Sequence, residues 1–146
     1  MEAFEVDQHI TARSRYYAGR MGSRFYTVLR DEQRILGVTC RKCNQVFWPP
    51  RSTCGRCFSK LSAEDMREIG PEGNLVSFTK VYYAEPVHPR PAPFVYGIVK
   101  LDGADTGMAH FIDDACSELE IGMRVKAVFA EKRHGNILDI ECFRPV

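Results

Sequence analysis

No stretch of this 146-residue chain approaches the ~18 consecutive apolar residues of a membrane-spanning helix, so that class is excluded. Neither an internal repeat nor a low-complexity tract is present, which removes solenoids and long disordered tails. Met1-Glu2-Ala3-Phe4-Glu5 lacks the basic segment, apolar run and small-residue cleavage site of a signal peptide, and a cytoplasmic protein with reduced thiols is therefore expected. Histidine is sparse: His9, His88, His110 and His134 are scattered without a partner motif for acid–base work. Outside the paired cysteines only Cys116 and Cys142 remain. Carboxylates beside Cys116 disfavour a thiolate there, and strand alternation makes Cys142 a core residue. No catalytic residue of the chain's own is expected. What the sequence does have is an ordinary globular composition, 45% hydrophobic and 27% charged, enough for a modest core.

Its most informative feature is a double pair of cysteines, Cys40-Arg41-Lys42-Cys43 and Cys54-Gly55-Arg56-Cys57. Each Cys-x-x-Cys turn offers two sulfurs to one ion, and two such turns complete a tetrahedron, so Cys40, Cys43, Cys54 and Cys57 are assigned to a closed structural metal site. A thioredoxin-like redox pair would leave the second turn unexplained. Spacing does not separate zinc, one ion per chain, from the iron of a rubredoxin-like electron carrier, because both accept four thiolates. Asn44 and Gly55 are the residue types expected to supply the left-handed backbone of the two turns. Four thiolates and a divalent ion carry a charge of minus two, and Arg41, Lys42, Arg51, Arg56 and Lys60 stand close in sequence to offset it.

Charge is distributed unevenly behind the net +1. Residues 1–60 hold eleven Lys or Arg and five Asp or Glu, giving +6, whereas residues 61–146 hold nine and fourteen, giving −5. A basic half suits phosphates, of nucleic acid or of a nucleotide cofactor, and equally neutralises the thiolates.

Periodicity divides the chain into an N-terminal helical arm (1–34), a zinc ribbon (35–60), a connector (61–72) and an OB-type barrel (73–146). In the arm, Phe25, Val28 and Leu29 repeat at helical spacing, and Tyr16-Tyr17 among arginines reads as a docking surface. Residues 35–39 and 46–48 read as ribbon strands, the second ended by Pro49-Pro50, with Phe47 and the sole tryptophan, Trp48, packed over the sulfurs. Residues 73–84, 94–101, 107–112, 124–132 and 137–143 read as five strands separated by turn residues. The fold class expected is mainly β with N-terminal helices: a rubredoxin-like zinc ribbon followed by a five-stranded OB-type barrel, with a small sandwich as the competitor. Between the first two barrel strands, residues 85–93 carry four prolines, a stiff loop able to present His88 and Arg90 to a ligand or partner.

The order of these pieces resembles the OB-fold acyl-CoA-associated zinc-ribbon proteins. The resemblance rests on the two cysteine pairs, Phe47-Trp48-Pro49-Pro50-Arg51, Gly73-Asn74-Leu75-Val76-Ser77-Phe78-Thr79, Gly97-Ile98-Val99-Lys100-Leu101-Asp102, Ile121-Gly122-Met123-Arg124-Val125 and Phe143-Arg144-Pro145. It runs from about residue 24 to the end. It implies a zinc-binding, non-catalytic subunit in a hetero-oligomer with a thiolase-like large subunit, helping to bind or position a coenzyme A thioester. Arg41, Lys42, Arg51 and Arg56 would then meet coenzyme A phosphates. One branch of the family resembles the small subunit of benzoylsuccinyl-CoA thiolase of anaerobic toluene degradation; other branches serve steroid side-chain breakdown or acetoacetyl-CoA formation. The competing function is nucleic-acid binding, with Phe78, Tyr82, Tyr83, Tyr96 and Phe111 as stacking rings. Against it stand the acidic barrel half and the tendency of alternating aromatics to be core.

Overall fold

The computed structural model describes residues 3–8, 10, 12, 14–114 and 118–146. Among the described residues the one α-helix, α1 (Gly19–Glu32), forms where Phe25 and Leu29, one turn apart, bury a common apolar stripe, with Met21 and Val28 half-buried beside them. Gln33, left-handed at φ 55°, ends it. Arg133, from the barrel, donates its Nε–H to the Arg30 carbonyl, satisfying one of the helix's last acceptors. Helix does not extend through the expected arm: the described residues before Ala18 adopt neither helix nor strand, since they carry no apolar stripe to bury.

Behind the helix lies a three-stranded antiparallel sheet, ordered β2-β1-β3, of β1 (Ile35–Thr39), β2 (Val46–Phe47) and β3 (Met66–Ile69). Strand β1 is buried almost throughout because it is central, with β2 on one side and β3 on the other. Strand β3 falls in the segment expected as a connector. Its ends, Met66 and Ile69, point inward, while Arg67 and Glu68 face solvent.

Five strands then close a barrel in the order β4-β5-β6-β8-β7: β4 (Glu72–Val81), β5 (Phe94–Leu101), β6 (Met108–Ile112), β7 (Arg124–Phe129) and β8 (Ile140–Pro145). All neighbours are antiparallel except β6 and β8. This is the OB arrangement. Long β4 bends at a bulge between Leu75 and Ser77, which lets it serve both β5 and β7. At Gly97 a Cβ would lie 2.8 Å from the Ser77 carbonyl oxygen, so only glycine permits the closest approach of β4 and β5. The last strand starts later than residue 137. Ile137–Asp139 form a 3₁₀ turn, capped by Asn136, in which the buried Asp139 carboxylate accepts the N–H groups of His134, Gly135 and Asn136.

Ribbon and barrel share one core. Trp48, fully buried, sets its ring edge-on to Phe143 of β8 at 6.1 Å. The loop between β5 and β6 grips the edge of β2. The Val46 N–H donates to the Asp105 carboxylate and the Asp105 N–H to the Val46 carbonyl, both at 2.8 Å. The Trp48 N–H donates to Thr106 Oγ1 at 2.8 Å, and the Thr106 hydroxyl donates back to the Trp48 carbonyl at 2.9 Å. An exposed sheet edge is thereby paired rather than left to solvent.

Candidate metal centre

Two turns of nearly the same backbone build the sulfur cluster. In the first, the Asn44 N–H donates to the Cys40 carbonyl and the Cys40 N–H to the Gln45 carbonyl. In the second, the Phe58 N–H donates to the Cys54 carbonyl and the Cys54 N–H to the Ser59 carbonyl. Each turn closes on a left-handed residue directly after its second cysteine, Asn44 at φ 56° and Phe58 at φ 57°. The expected Gly55 does not have this role. The handedness is required four residues after the first cysteine, and Gly55 stands only one after it.

All four Sγ atoms lie within 4.8 Å of one another, with Cys40 to Cys57 and Cys43 to Cys54 both at 3.6 Å. A tetrahedron with Zn–S bonds of about 2.3 Å needs sulfurs about 3.8 Å apart, so the four positions fit one such ion. Cys40 and Cys54 are buried, Cys43 and Cys57 half-buried. Backbone N–H groups of Arg56 and Cys57 point at Cys54 Sγ, both at 3.4 Å, and Ser59 Oγ lies 3.3 Å from Cys40 Sγ and 3.1 Å from Cys57 Sγ. Hydrogen bonding from Ser59 draws the Cys40 thiol down to about 6. At Cys43 the backbone of Gln45 pulls the same way, but burial and the three neighbouring sulfurs outweigh it and push the thiol up to about 11. Four thiolates so close repel one another; a proton held at Cys43 relieves this in part, and a divalent cation among the four sulfurs would relieve it for all of them. With four protein ligands the site is closed, offering no position to water or substrate.

The aromatic pair beside the cluster divides its work. Phe47 is buried in the ribbon under the Arg51 guanidinium, 4.8 Å from its ring centre, whereas Trp48 serves the joint with the barrel. The basic residues do not converge. Arg41 pairs with Asp65 at 2.5 Å, and Lys42 and Arg56 point out from the knuckles. Of these, only Arg51 lines a cleft of about 810 Å³ between the start of α1 and residues 50–52 and 61–64. Arg20, Tyr16 and Tyr26 line it too, a grouping that sequence spacing could not show because it depends on how α1 docks.

On the barrel, His88 and Arg90 separate. His88 is exposed and its Nδ1 accepts the Glu85 N–H, closing the proline loop on itself. Arg90 turns back: its guanidinium donates to the Glu141 carbonyl and sits over the Phe111 ring at 4.5 Å. Phe111 is buried between Phe94 and Tyr96, while Phe78, Tyr82, Tyr83 and Tyr96 are exposed, so the tendency of alternating aromatics to be core holds for Phe111 alone of the five. Cys142 is buried, with its thiol pushed up by desolvation, and Cys116 lies outside the described residues.

The barrel's strand order and the four-sulfur centre define a zinc-ribbon protein joined to an OB fold. Two family models match in that order: the ChsH2 rubredoxin-like zinc ribbon domain over residues 29–62 and the ChsH2 C-terminal OB-fold domain over residues 66–130. The chain thus carries, in succession, segments similar to the zinc-ribbon and OB-fold domains of ChsH2. It is similar to a DUF35 domain-containing scaffold protein of Methanocaldococcus jannaschii, 27% identical over 75% of this chain and 77% of that one. A second such scaffold protein, from Methanothermobacter thermautotrophicus, is 28% identical over 68% and 74%. Among solved structures, a DUF35-family protein of unknown function from Sulfolobus solfataricus superposes with a TM-score of 0.61 at 24% identity, covering 75% of this chain and 78% of that one. The Ltp2-ChsH2(DUF35) aldolase gives 0.62 at 22%, covering 90% and 98%. At these identities the two structures attest the fold alone. No described helix is long and apolar enough to cross a membrane.

Proposed function

We propose that this protein is the non-catalytic, zinc-binding subunit of a thiolase-type acyl-CoA complex. It holds the large subunit and the coenzyme A thioester in register, while the large subunit supplies the nucleophile and acid–base groups. The observation that carries the reading is the ribbon and barrel joined as one body, both matching ChsH2 domains, one of whose relatives is an aldolase assembly by name. The closed metal centre supports it, because a four-sulfur site stabilises a surface rather than activating water. The cleft bearing Arg20 and Arg51 beside Tyr16 and Tyr26 offers cations for coenzyme A phosphates and rings for its adenine, and replaces Arg41, Lys42 and Arg56 as the preferred contact. Benzoylsuccinyl-CoA is the acyl substrate proposed, on the sequence resemblance to that thiolase's small subunit. Gel filtration of the chain mixed with a thiolase-type subunit from the same organism should give one shared particle containing one zinc per copy of this chain. Separate elution of the two would defeat the proposal.

A further inference from the structure

Phe58 occupies a position that suits no phenylalanine. Its φ of 57° is left-handed, where a Cβ crowds the following carbonyl, and the equivalent residue of the first knuckle is Asn44, a type that tolerates the strain. Burial does not compensate, for the ring is 80% exposed. The knuckle around it is cationic. Between residues 35 and 60 the sequence has five Lys or Arg and no Asp or Glu, and the charge of four thiolates with a divalent ion cancels only two of the five. Of these cations Lys42, Arg56 and Lys60 are exposed and form no ion pair among the described residues. An exposed aromatic ring on a hydrogen-bonded knuckle, in a segment that also exposes three cations without ion pairs, has the composition of an interface anchor.

We infer that Phe58 is the anchor by which the second metal knuckle docks on the large subunit, its ring entering an apolar recess bordered by carboxylates. The inference rests on the accessory-subunit reading and names the contact that reading requires. Acidic borders complement Lys42, Arg56 and Lys60, and a pre-set turn spares the ordering cost of a flexible anchor. Nucleic acid would use the same cations, but a single ring is a poor stacking platform, and the barrel half carries −5.

Phe58→Gly and Phe58→Asn test it, because both remove the ring and relieve the backbone. Each should keep one zinc per chain and melt at or above the wild-type temperature, yet bind the purified thiolase-type subunit at least about tenfold more weakly. Affinity within twofold of wild type overturns the inference and leaves the accessory reading standing. Loss of zinc or a lower melting temperature in both variants makes Phe58 a structural residue and also overturns it. Wild type that fails to bind the thiolase-type subunit defeats the accessory reading itself. Phe58-dependent binding of a single-stranded oligonucleotide would replace the protein partner with a nucleic acid.

Discussion

Cys43 is the half-buried member of the first pair, and its thiol is the one that its neighbours hold most firmly protonated. Removing it leaves three sulfurs for an ion that takes four, and in a module this small metal affinity is folding free energy. Cys43→Ser should therefore lose bound zinc, measured by plasma emission spectroscopy, and unfold the ribbon. His110 gives a pH effect of its own. It lies between Phe111 and Phe143, its Nδ1 accepting the Phe111 N–H and its Nε2 donating to the Ile137 carbonyl. Burial pushes its pKa below the ordinary value of about 6.5, so the folded state holds the neutral ring while the unfolded chain takes up a proton. The stability this contributes is present above pH ~6.5 and is lost as pH falls through the folded value. Melting temperature should drop between pH 7 and 5 in the wild type and drop less in His110→Gln, as calorimetry would report. At this scale the sequence revealed which four sulfurs cluster, because Cys-x-x-Cys spacing is local. It misassigned the left-handed residue, because Gly55 advertises a freedom that the turn demands three residues later, at Phe58.

Strand alternation with turn residues between made the barrel elements readable, and residues 35–39 and 94–101 form strands over the expected range. Two elements escaped. Strand β3 was hidden because Met66-Arg67-Glu68-Ile69 has no two-residue period of its own and becomes strand only through its partner β1. Ile137–Asp139 looked like the start of β8, but the Asn136 cap and the Asp139 carboxylate bind backbone N–H groups and hold a turn. The β5–β6 loop deserves a test because no local pattern announced its grip on β2. Thr106→Val keeps the shape and removes the hydroxyl that both accepts from the Trp48 N–H and donates to its carbonyl. Stranding these part-buried groups should cost about 1–3 kcal/mol in urea unfolding. Surface ion pairs matter less. Arg124 with Asp102 at 2.5 Å is half-exposed, and such pairs are worth about 0–1 kcal/mol.

At the scale of the molecule, the helix, ribbon sheet and barrel form one continuous core from Phe25 to Phe143, with Trp48 at its centre. That unity was not legible in the sequence, where ribbon and barrel looked like beads on a connector, because the contacts joining them are more than fifty residues apart. A two-part body joined by a shared core, with a four-sulfur centre, is suited to holding other components in place. The most direct measurement is turnover of a coenzyme A thioester by the thiolase-type subunit alone, by this chain alone and by the two together. The account predicts no turnover by this chain alone, and a mixture much faster than the large subunit by itself, with the enhancement abolished by Cys43→Ser. Identical rates with and without this chain would contradict it.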